Sequence, residues 1–168
     1  MMLDFEEIIR QLDLRPHPEE GGFYRETYRS NESFPGDSLP KRHKSPRSLG
    51  TAIYYLLTPQ TVSALHRLPT DEIFHFYLGD PVEMLCLYPD GTSEVILLGQ
   101  DLAAGERPQV VMPMRTWFGS CLRAGGRFAL MGTTMAPGFE FEDYQSGDRE
   151  TLLAAYPAQA DLIRKLTR

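Results

Sequence analysis

The sequence is poor in cysteine, in long apolar runs and in the features of a signal peptide. Only Cys86 and Cys121 occur among 168 residues, both inside short apolar stretches, and two cysteines cannot form the disulfide framework of a small secreted domain. No apolar run approaches the roughly 18 residues of a membrane-spanning helix, and the acidic N-terminus has neither a basic nor an apolar region. We therefore expect a cytoplasmic protein with reduced cysteines and no membrane partner.

Basic charge is also scarce, because 17 Lys and Arg residues stand against 23 Asp and Glu, giving a net charge of −6. This balance excludes a large basic face, so we expect no nucleic-acid partner. The single basic cluster, residues 41–47, lies within a stretch that contains three prolines and almost no apolar side chain, residues 31–48. The pattern predicts an exposed polar loop over 31–48.

Length and composition indicate one domain that covers residues 1–168. Thirteen prolines and 14 glycines are spread along the chain, and short apolar runs alternate with turn signals such as 79–81 and 89–91. Candidate strands occupy residues 23–29, 49–57, 62–65, 73–78, 82–88, 94–98, 109–112, 117–122 and 127–135. Short strands without intervening helical patterns predict a mainly all-β fold, an antiparallel sandwich or barrel.

Helix signals occur only near the two ends of the chain. Asp4 and Glu7 have the spacing of a capping box, and apolar residues follow at helical intervals. Near the other end, Asp148 can cap one short helix and Pro157 can begin another. We therefore expect short terminal helices around a β domain.

The residues best suited to chemistry lie in one ten-residue stretch that holds two of the four histidines, His66 and His75, together with Glu72. In a strand, alternate side chains face opposite sides, so Glu72 shares a face with Phe74, whereas His75 lies on the other. His66 lies on the preceding strand and can oppose Glu72 across a sheet. The pair predicted to form the site is therefore His66 with Glu72, and His75 is the weaker candidate.

The same stretch resembles motif 1 of the cupin superfamily, in which a histidine, a glutamate and a glycine recur at the spacing of His66, Glu72 and Gly79. The whole chain resembles the uncharacterised cupin family DUF985 (cupin 5), through the segments 17–28, 63–67, 71–72, 79–81 and 137–144. The resemblance implies a double-stranded β-helix, or jelly roll, and a homodimer. A dimer is also favoured by the strand at 23–29, which needs a neighbour for its backbone groups.

The sequence departs from the metal-binding cupin pattern. Leu68 stands where that pattern has a second histidine, and the stretch 113–118 supplies no third one. A catalytic divalent metal needs about three protein ligands, and only His66 and Glu72 occupy matching positions. We therefore expect no cofactor; a divalent metal held by His66 and Glu72 is the alternative.

What remains is a barrel mouth with a histidine, a glutamate and many aromatic side chains, which suits a small-molecule ligand. Core packing is the ordinary role of each aromatic residue. The predicted catalytic residues are His66, Glu72 and Tyr144. The predicted ligand-binding residues are Tyr24, Arg67, Phe74, His75, Trp117, Phe118 and Phe139.

Three functions are compatible with these residues. The first is a metal-independent isomerase or epimerase acting on a small polar or sugar-like substrate, with His66 as base, Glu72 fixing its tautomer and Tyr144 or Tyr24 as acid. The second is a non-catalytic module that binds a small ligand. The third is a metal-dependent cupin oxygenase or isomerase.

Overall fold

The computed structural model describes residues 4–168. Met1 to Leu3, part of the N-terminus in which no signal peptide is predicted, lie outside the described residues. Two antiparallel sheets face each other and enclose the main core, in agreement with the predicted β fold. Within residues 4–168, no helix has the length and apolar character needed to span a membrane.

The first sheet has six strands in the order β1-β2-β5-β12-β7-β10. Its strands are β1 (Arg15–Pro16), β2 (Phe23–Arg29), β5 (Thr51–Leu57), β7 (Glu72–Gly79), β10 (Gln109–Met112) and β12 (Ala129–Met135). Along β7, side chains alternate between the core and the outer face, so that Glu72, Phe74 and Phe76 are buried together. The prediction that Glu72 and Phe74 share one face of this strand is confirmed.

The second sheet has five strands in the order β13-β6-β11-β8-β9. Its strands are β6 (Ser63–Arg67), β8 (Val82–Leu87), β9 (Ser93–Leu98), β11 (Trp117–Leu122) and β13 (Gln145–Ser146). β8 is buried along its whole length except at Glu83, because it lies between β11 and β9 with its faces covered. The two sheets meet through apolar side chains such as Met84, Phe118 and Met131.

Three short helices occur at the ends of the chain, as predicted: α1 (Phe5–Gln11), α2 (Arg149–Ala155) and α3 (Ala160–Leu166). The Asp4 side chain accepts a hydrogen bond from the Glu7 amide at 2.8 Å, and Asp148 caps α2 in the same way. α2 and α3 cover the outer face of the second sheet, where Leu152, Ile163 and Leu166 pack against Leu65 and Leu85.

The segment 31–48 differs from the predicted exposed loop at its C-terminal part. Most of it is exposed, but it forms a two-stranded sheet from β3 (Ser33–Phe34) and β4 (Arg47–Ser48). The Arg47 side chain is fully buried and pairs with Glu142 at 2.8 Å and with Asp143 at 2.6 Å. Paired carboxylates offset the cost of burying this cation, which is why a basic cluster does not remain wholly in solvent.

Candidate functional site

A cavity of about 240 Å³ opens between the two sheets. Its walls come from β2, β5, β6, β7, β12, the turn at 17–20 and the segment 139–144. Five predicted site residues line it: Tyr24, His66, Glu72, Phe139 and Tyr144. The cavity thus brings together residues from parts of the sequence that are more than 100 positions apart.

His66 is held in one orientation near the end of β6. Its Nδ1 lies 2.7 Å from the carbonyl oxygen of Ala64, two residues earlier. The pairing of β6 with β11 is irregular at this point, since Phe118 pairs with His66 but Ser120 pairs with Ser63. A carbonyl oxygen accepts hydrogen bonds and cannot donate them, so Nδ1 must carry the proton in this contact. In the neutral ring, Nε2 therefore keeps its lone pair.

Two aromatic rings hold the His66 imidazole from either side. The Phe118 ring centroid lies 4.3 Å away, and the Tyr144 ring is stacked at 4.9 Å with an interplanar angle of 21°. The imidazole is therefore buried, with a relative exposure of 1%. This packing fixes where Nε2 points.

Glu72 begins β7 and lies on the sheet opposite His66. The prediction that the two residues oppose each other across one sheet is wrong, because β6 and β7 belong to different sheets. Nor does Glu72 fix the tautomer of His66, since the Ala64 carbonyl does so. The two side chains instead line the same cavity from facing walls.

Burial raises the pKa of Glu72 to about 8, and the negative charge of Glu20 acts in the same direction. A hydrogen bond with the Thr133 side chain acts in the opposite direction. Glu72 is therefore mainly a neutral carboxylic acid at pH 7. In that form it can donate a proton or a hydrogen bond into the cavity.

The turn before β2 adds two cavity residues that sequence reasoning did not select, His17 and Glu20. The backbone carbonyl of Glu20 accepts from the Ala64 amide at 2.9 Å, which fixes this turn beside β6. Glu20 Oε2 lies 3.9 Å from His66 Nε2 and 4.0 Å from His17 Nε2, and its Oε1 accepts from the Ser63 hydroxyl. Gly21 follows at φ +99°, with the space for a Cβ already taken by the Val62 carbonyl oxygen.

His17 has the opposite tautomer from His66. Its Nδ1 accepts the backbone N–H of Glu20 at 2.9 Å, so its proton is on Nε2. Burial lowers the pKa of His17, which keeps the ring neutral. The cavity thus presents one imidazole lone pair, from His66, and one imidazole N–H, from His17.

These hydrogen bonds bear on whether the site suits a metal. His17 Nε2 is protonated and cannot ligate unless the Nδ1 hydrogen bond to the backbone is lost. That leaves one imidazole lone pair, a neutral Glu72 and a Glu20 that already accepts from Ser63. Across residues 4–168, no group of three or more His, Cys, Asp or Glu side chains has the arrangement of a metal site.

The mouth of the cavity carries a fixed ionic cluster. Arg29 donates to Glu26 at 2.9 and 3.0 Å, to Glu140 at 2.6 Å and to the Phe139 carbonyl at 3.0 Å. β2 has an extra residue, Thr27, between Glu26 and the next paired residue. This bulge changes the parity of the strand, so that Arg29 lies on the same side as Glu26.

Five predicted ligand-binding residues do not line the cavity. Phe74 and Phe118 are core residues with exposures of 2%, and they pack against each other at 5.8 Å. His75 lies on the outer face of β7, 2.9 Å from the Thr134 hydroxyl. Trp117 and Arg67 form a pair outside the cavity, with the guanidinium 4.4 Å from the ring centroid.

A sequence signal for the missed residues was present. His17 is one of only four histidines, and it stands with Glu20 directly before a Gly-Gly pair. A rare histidine followed by an acid and a tight turn merits the same weight as His66. Glu26 and Arg29 carried no such signal, because charged residues on an edge strand are normally solvent-exposed.

Two facing antiparallel sheets with a polar cavity at their open end define a protein of the cupin superfamily. The fold alone is shared with oxalate decarboxylase from Bacillus subtilis, which is 16% identical with a TM-score of 0.54 over 92% of this chain and 37% of that one. More narrowly, the chain belongs to the family described as Cupin superfamily (DUF985), whose sequence profile matches residues 6–146.

Three proteins from different organisms are similar to most of this chain. A protein from Shewanella oneidensis with a known crystal structure is 40% identical in sequence to this chain, and the two structures match with a TM-score of 0.86 over 99% of both chains. A hypothetical protein from Leishmania major is 28% identical, with a TM-score of 0.86 over 98% of this chain and 99% of that one. An uncharacterized protein from Saccharomyces cerevisiae is 29% identical over 83% of this chain and 73% of its own length.

Proposed function

We propose that the cavity binds a small polar or sugar-like molecule and catalyses a metal-independent proton transfer on it, as an isomerase or epimerase does. The observation that carries this proposal is the 2.7 Å contact between His66 Nδ1 and the Ala64 carbonyl. It leaves the Nε2 lone pair as a base in a cavity whose facing wall holds a neutral acid, Glu72.

In the proposed reaction, His66 Nε2 removes a proton from a carbon next to a carbonyl group of the substrate. The electron pair of the broken C–H bond moves onto the carbonyl oxygen, giving an enol-type intermediate. Glu72 donates its proton to the same carbon from the facing wall, and the carbonyl group re-forms. The substrate thus loses one proton to His66 and gains one from Glu72 on the opposite face, so the overall change is an epimerisation; His66 and Glu72 recover their starting protonation by exchange with water.

This assignment changes the acid that the sequence suggested. Tyr144 is stacked on the His66 ring, so it lies on the side of the base rather than opposite it. Burial raises the pKa of Tyr144 far above its ordinary value, so its hydroxyl stays protonated and can donate a hydrogen bond. We assign Tyr144 to substrate positioning and Glu72 to proton donation.

A non-catalytic binding module is the second candidate. The aromatic side of the mouth favours it, because Phe139 and Phe141 meet edge to face at 5.2 Å beside His17 and Tyr24. Such a surface contacts the apolar face of a sugar ring whether or not a proton is transferred.

The test is deuterium exchange with a panel of aldoses and ketoses of three to six carbons. In D₂O, the wild-type protein should remove the NMR signal of the proton next to the carbonyl in at least one member. His66→Gln should lower the exchange rate at least about 100-fold, as expected for loss of a general base. His75→Gln is the matched control, because His75 lies on the outer face of β7, and it should exchange at the wild-type rate.

Two other results would contradict parts of the proposal. Binding of a sugar without exchange in the wild-type protein would contradict the catalytic proposal and support the binding module. Exchange that survives in His66→Gln would contradict the assignment of the base. Circular dichroism of each variant confirms that the β fold is retained.

A further inference from the structure

A second depression, the basic groove, adjoins the cavity and has a volume of about 540 Å³. Leu68 and Tyr144 belong to both, so the two spaces share a wall. The residues that define the basic groove are Arg42, Lys44, Arg67, Leu68, Pro69, Arg115, Glu142, Asp143, Tyr144 and Gln145.

Four of these residues are cationic, in a chain whose net charge is −6. They come from three separate stretches: Arg42 and Lys44 from the segment 31–48, Arg67 from the end of β6, and Arg115 from the turn before β11. The first of these stretches belongs to the segment predicted from its composition to be an exposed polar loop. Folding instead places it opposite two distant arginines.

The two carboxylates of the basic groove do not neutralise these cations. Glu142 and Asp143 both bind Arg47, which lies beneath them with a fully buried side chain. Within residues 4–168, Arg42 and Arg115 form no ion pair with a carboxylate, whereas the charge of Lys44 acts on the Glu142 carboxyl group and lowers its pKa. The basic groove therefore carries cationic groups that are free to bind an anion.

The side chain of Arg67 and the backbone of Arg115 are held in place. The Nε of Arg67 donates to Gln145 at 2.7 Å, and its guanidinium lies over the Trp117 ring, which leaves its terminal nitrogens for another acceptor. Arg115 has φ +67°, an unfavourable backbone conformation for a residue with a side chain, and its amide donates to Leu68 at 2.9 Å. Strain of this kind persists where the surrounding structure requires it, frequently at ligand sites.

We propose that the basic groove binds the phosphoryl group of a small organic phosphate whose uncharged part lies in the cavity. The inference extends the proposed function and rests on it for the cavity end of the ligand. A phosphate monoester carries close to two negative charges near pH 7, and the excess of cations over carboxylates in the basic groove favours such a dianion. Arginine forks provide paired donors for the phosphate oxygens, and the shared wall at Tyr144 lets one molecule reach both spaces.

The first experiment is calorimetric titration with inorganic phosphate at about 20 mM salt, where screening is weak. We expect saturable binding of one phosphate per chain. Arg42→Gln and Arg115→Asn should each weaken it roughly 10-fold or more, the usual effect of losing a charged hydrogen bond. Asparagine tolerates the left-handed backbone of position 115, so this variant should keep its turn.

Arg123→Gln is the matched control, because it removes the same charge at the opposite end of β11. It should change phosphate affinity less than about twofold. If Arg123→Gln lost as much phosphate affinity, the loss would follow from net charge alone, and this result would overturn the site. Absence of saturable phosphate binding to the wild-type protein would overturn it as well.

Two further ligands test the chemistry. Malonate binding as tightly as phosphate would overturn the phosphoryl assignment. A hexose 6-phosphate should bind at least about 10-fold more tightly than inorganic phosphate, because its sugar also contacts the cavity. Equal affinities would overturn the bridging arrangement.

His66→Gln separates this inference from the proposed function. The variant lacks the proposed base but retains every residue of the basic groove, so it should bind inorganic phosphate as the wild-type protein does. Failure of deuterium exchange with phosphate binding intact would contradict only the proposed function. Exchange without phosphate binding would contradict only the basic groove.

Discussion

At the scale of single residues, the protonation of Glu72 is set by its position rather than by its type. The side chain is 7% exposed at the first residue of β7, and a second carboxylate, Glu20, faces the same cavity. Both conditions disfavour the ionised form, which is why the pKa rises to about 8. The carboxyl group of Glu72 is therefore mainly uncharged in the cavity at neutral pH.

This raised pKa predicts a specific dependence of stability on pH. The unfolded chain ionises Glu72 near 4.5, whereas the folded protein keeps it protonated up to about 8. Between these values the folded state binds more protons than the unfolded state, so the free energy of unfolding falls as pH rises. The slope from this one group is about 1.4 kcal/mol per pH unit, and it ends above the folded pKa.

Glu72→Gln provides the comparison, since glutamine has the shape of the protonated acid and does not titrate. Urea unfolding at pH 5 and pH 8 should show the variant gaining stability relative to the wild-type protein as pH rises. Other titrating groups are common to both proteins and cancel in the difference. Parallel stability curves for the two proteins would contradict the raised pKa.

At the scale of elements, the turn 17–22 positions His17 and Glu20 through its glycines. Gly21 has φ +99°, and a Cβ added there would lie 2.4 Å from the Val62 carbonyl oxygen. Gly125 also has a positive φ, +86°, but open space surrounds the position of its Cβ. A side chain introduced at either position would be strained by the positive φ, and only at Gly21 would its Cβ also clash with a neighbouring atom.

We therefore expect Gly125→Ala to cost about 1 kcal/mol in the free energy of unfolding, from strain at positive φ. Gly21→Ala should cost roughly 1 to 3 kcal/mol more, because the clash displaces the turn. Urea denaturation of the two variants measures the difference. Equal losses would show that the turn moves away from β6 without resistance.

The sequence predicted the features that depend on neighbouring residues and missed those that depend on residues far apart in the chain. Turn residues and alternation of apolar side chains are local, so the strands at 109–112 and 117–122 and the capped terminal helices were predicted closely. The bulge at Thr27 carries no local signal, so the inward position of Arg29 could not be predicted. Assignment of β6 and β7 to different sheets depends on long-range pairing, so the predicted relation of His66 to Glu72 was wrong in geometry, although both side chains line one cavity.

At the scale of the whole molecule, the outer edge of β2 is incompletely paired. β5 pairs with one side of β2, so the strand finds a neighbour within its own chain. On the other side, β1 covers only Phe23 and Tyr24. The backbone groups beyond Tyr24 can still accept a strand from a second copy, which supports the expected homodimer.

Light scattering at micromolar concentration tests this expectation. A dimer has twice the 19.1 kDa mass of the chain, and dilution should leave the mass unchanged until the dissociation constant is reached. A constant mass of 19.1 kDa across the concentration range would contradict the dimer.

The buried ion pairs of Arg47 have a consequence for how this protein can diverge. They couple the surface segment 31–48 to Glu142 and Asp143, directly before Tyr144, which forms the wall between the cavity and the basic groove. A substitution or insertion in 31–48 can therefore shift Tyr144 without altering any residue that lines the cavity. Selection for a new substrate can act through residues of this segment that do not contact it, while the base on β6 and the acid on β7 remain unchanged.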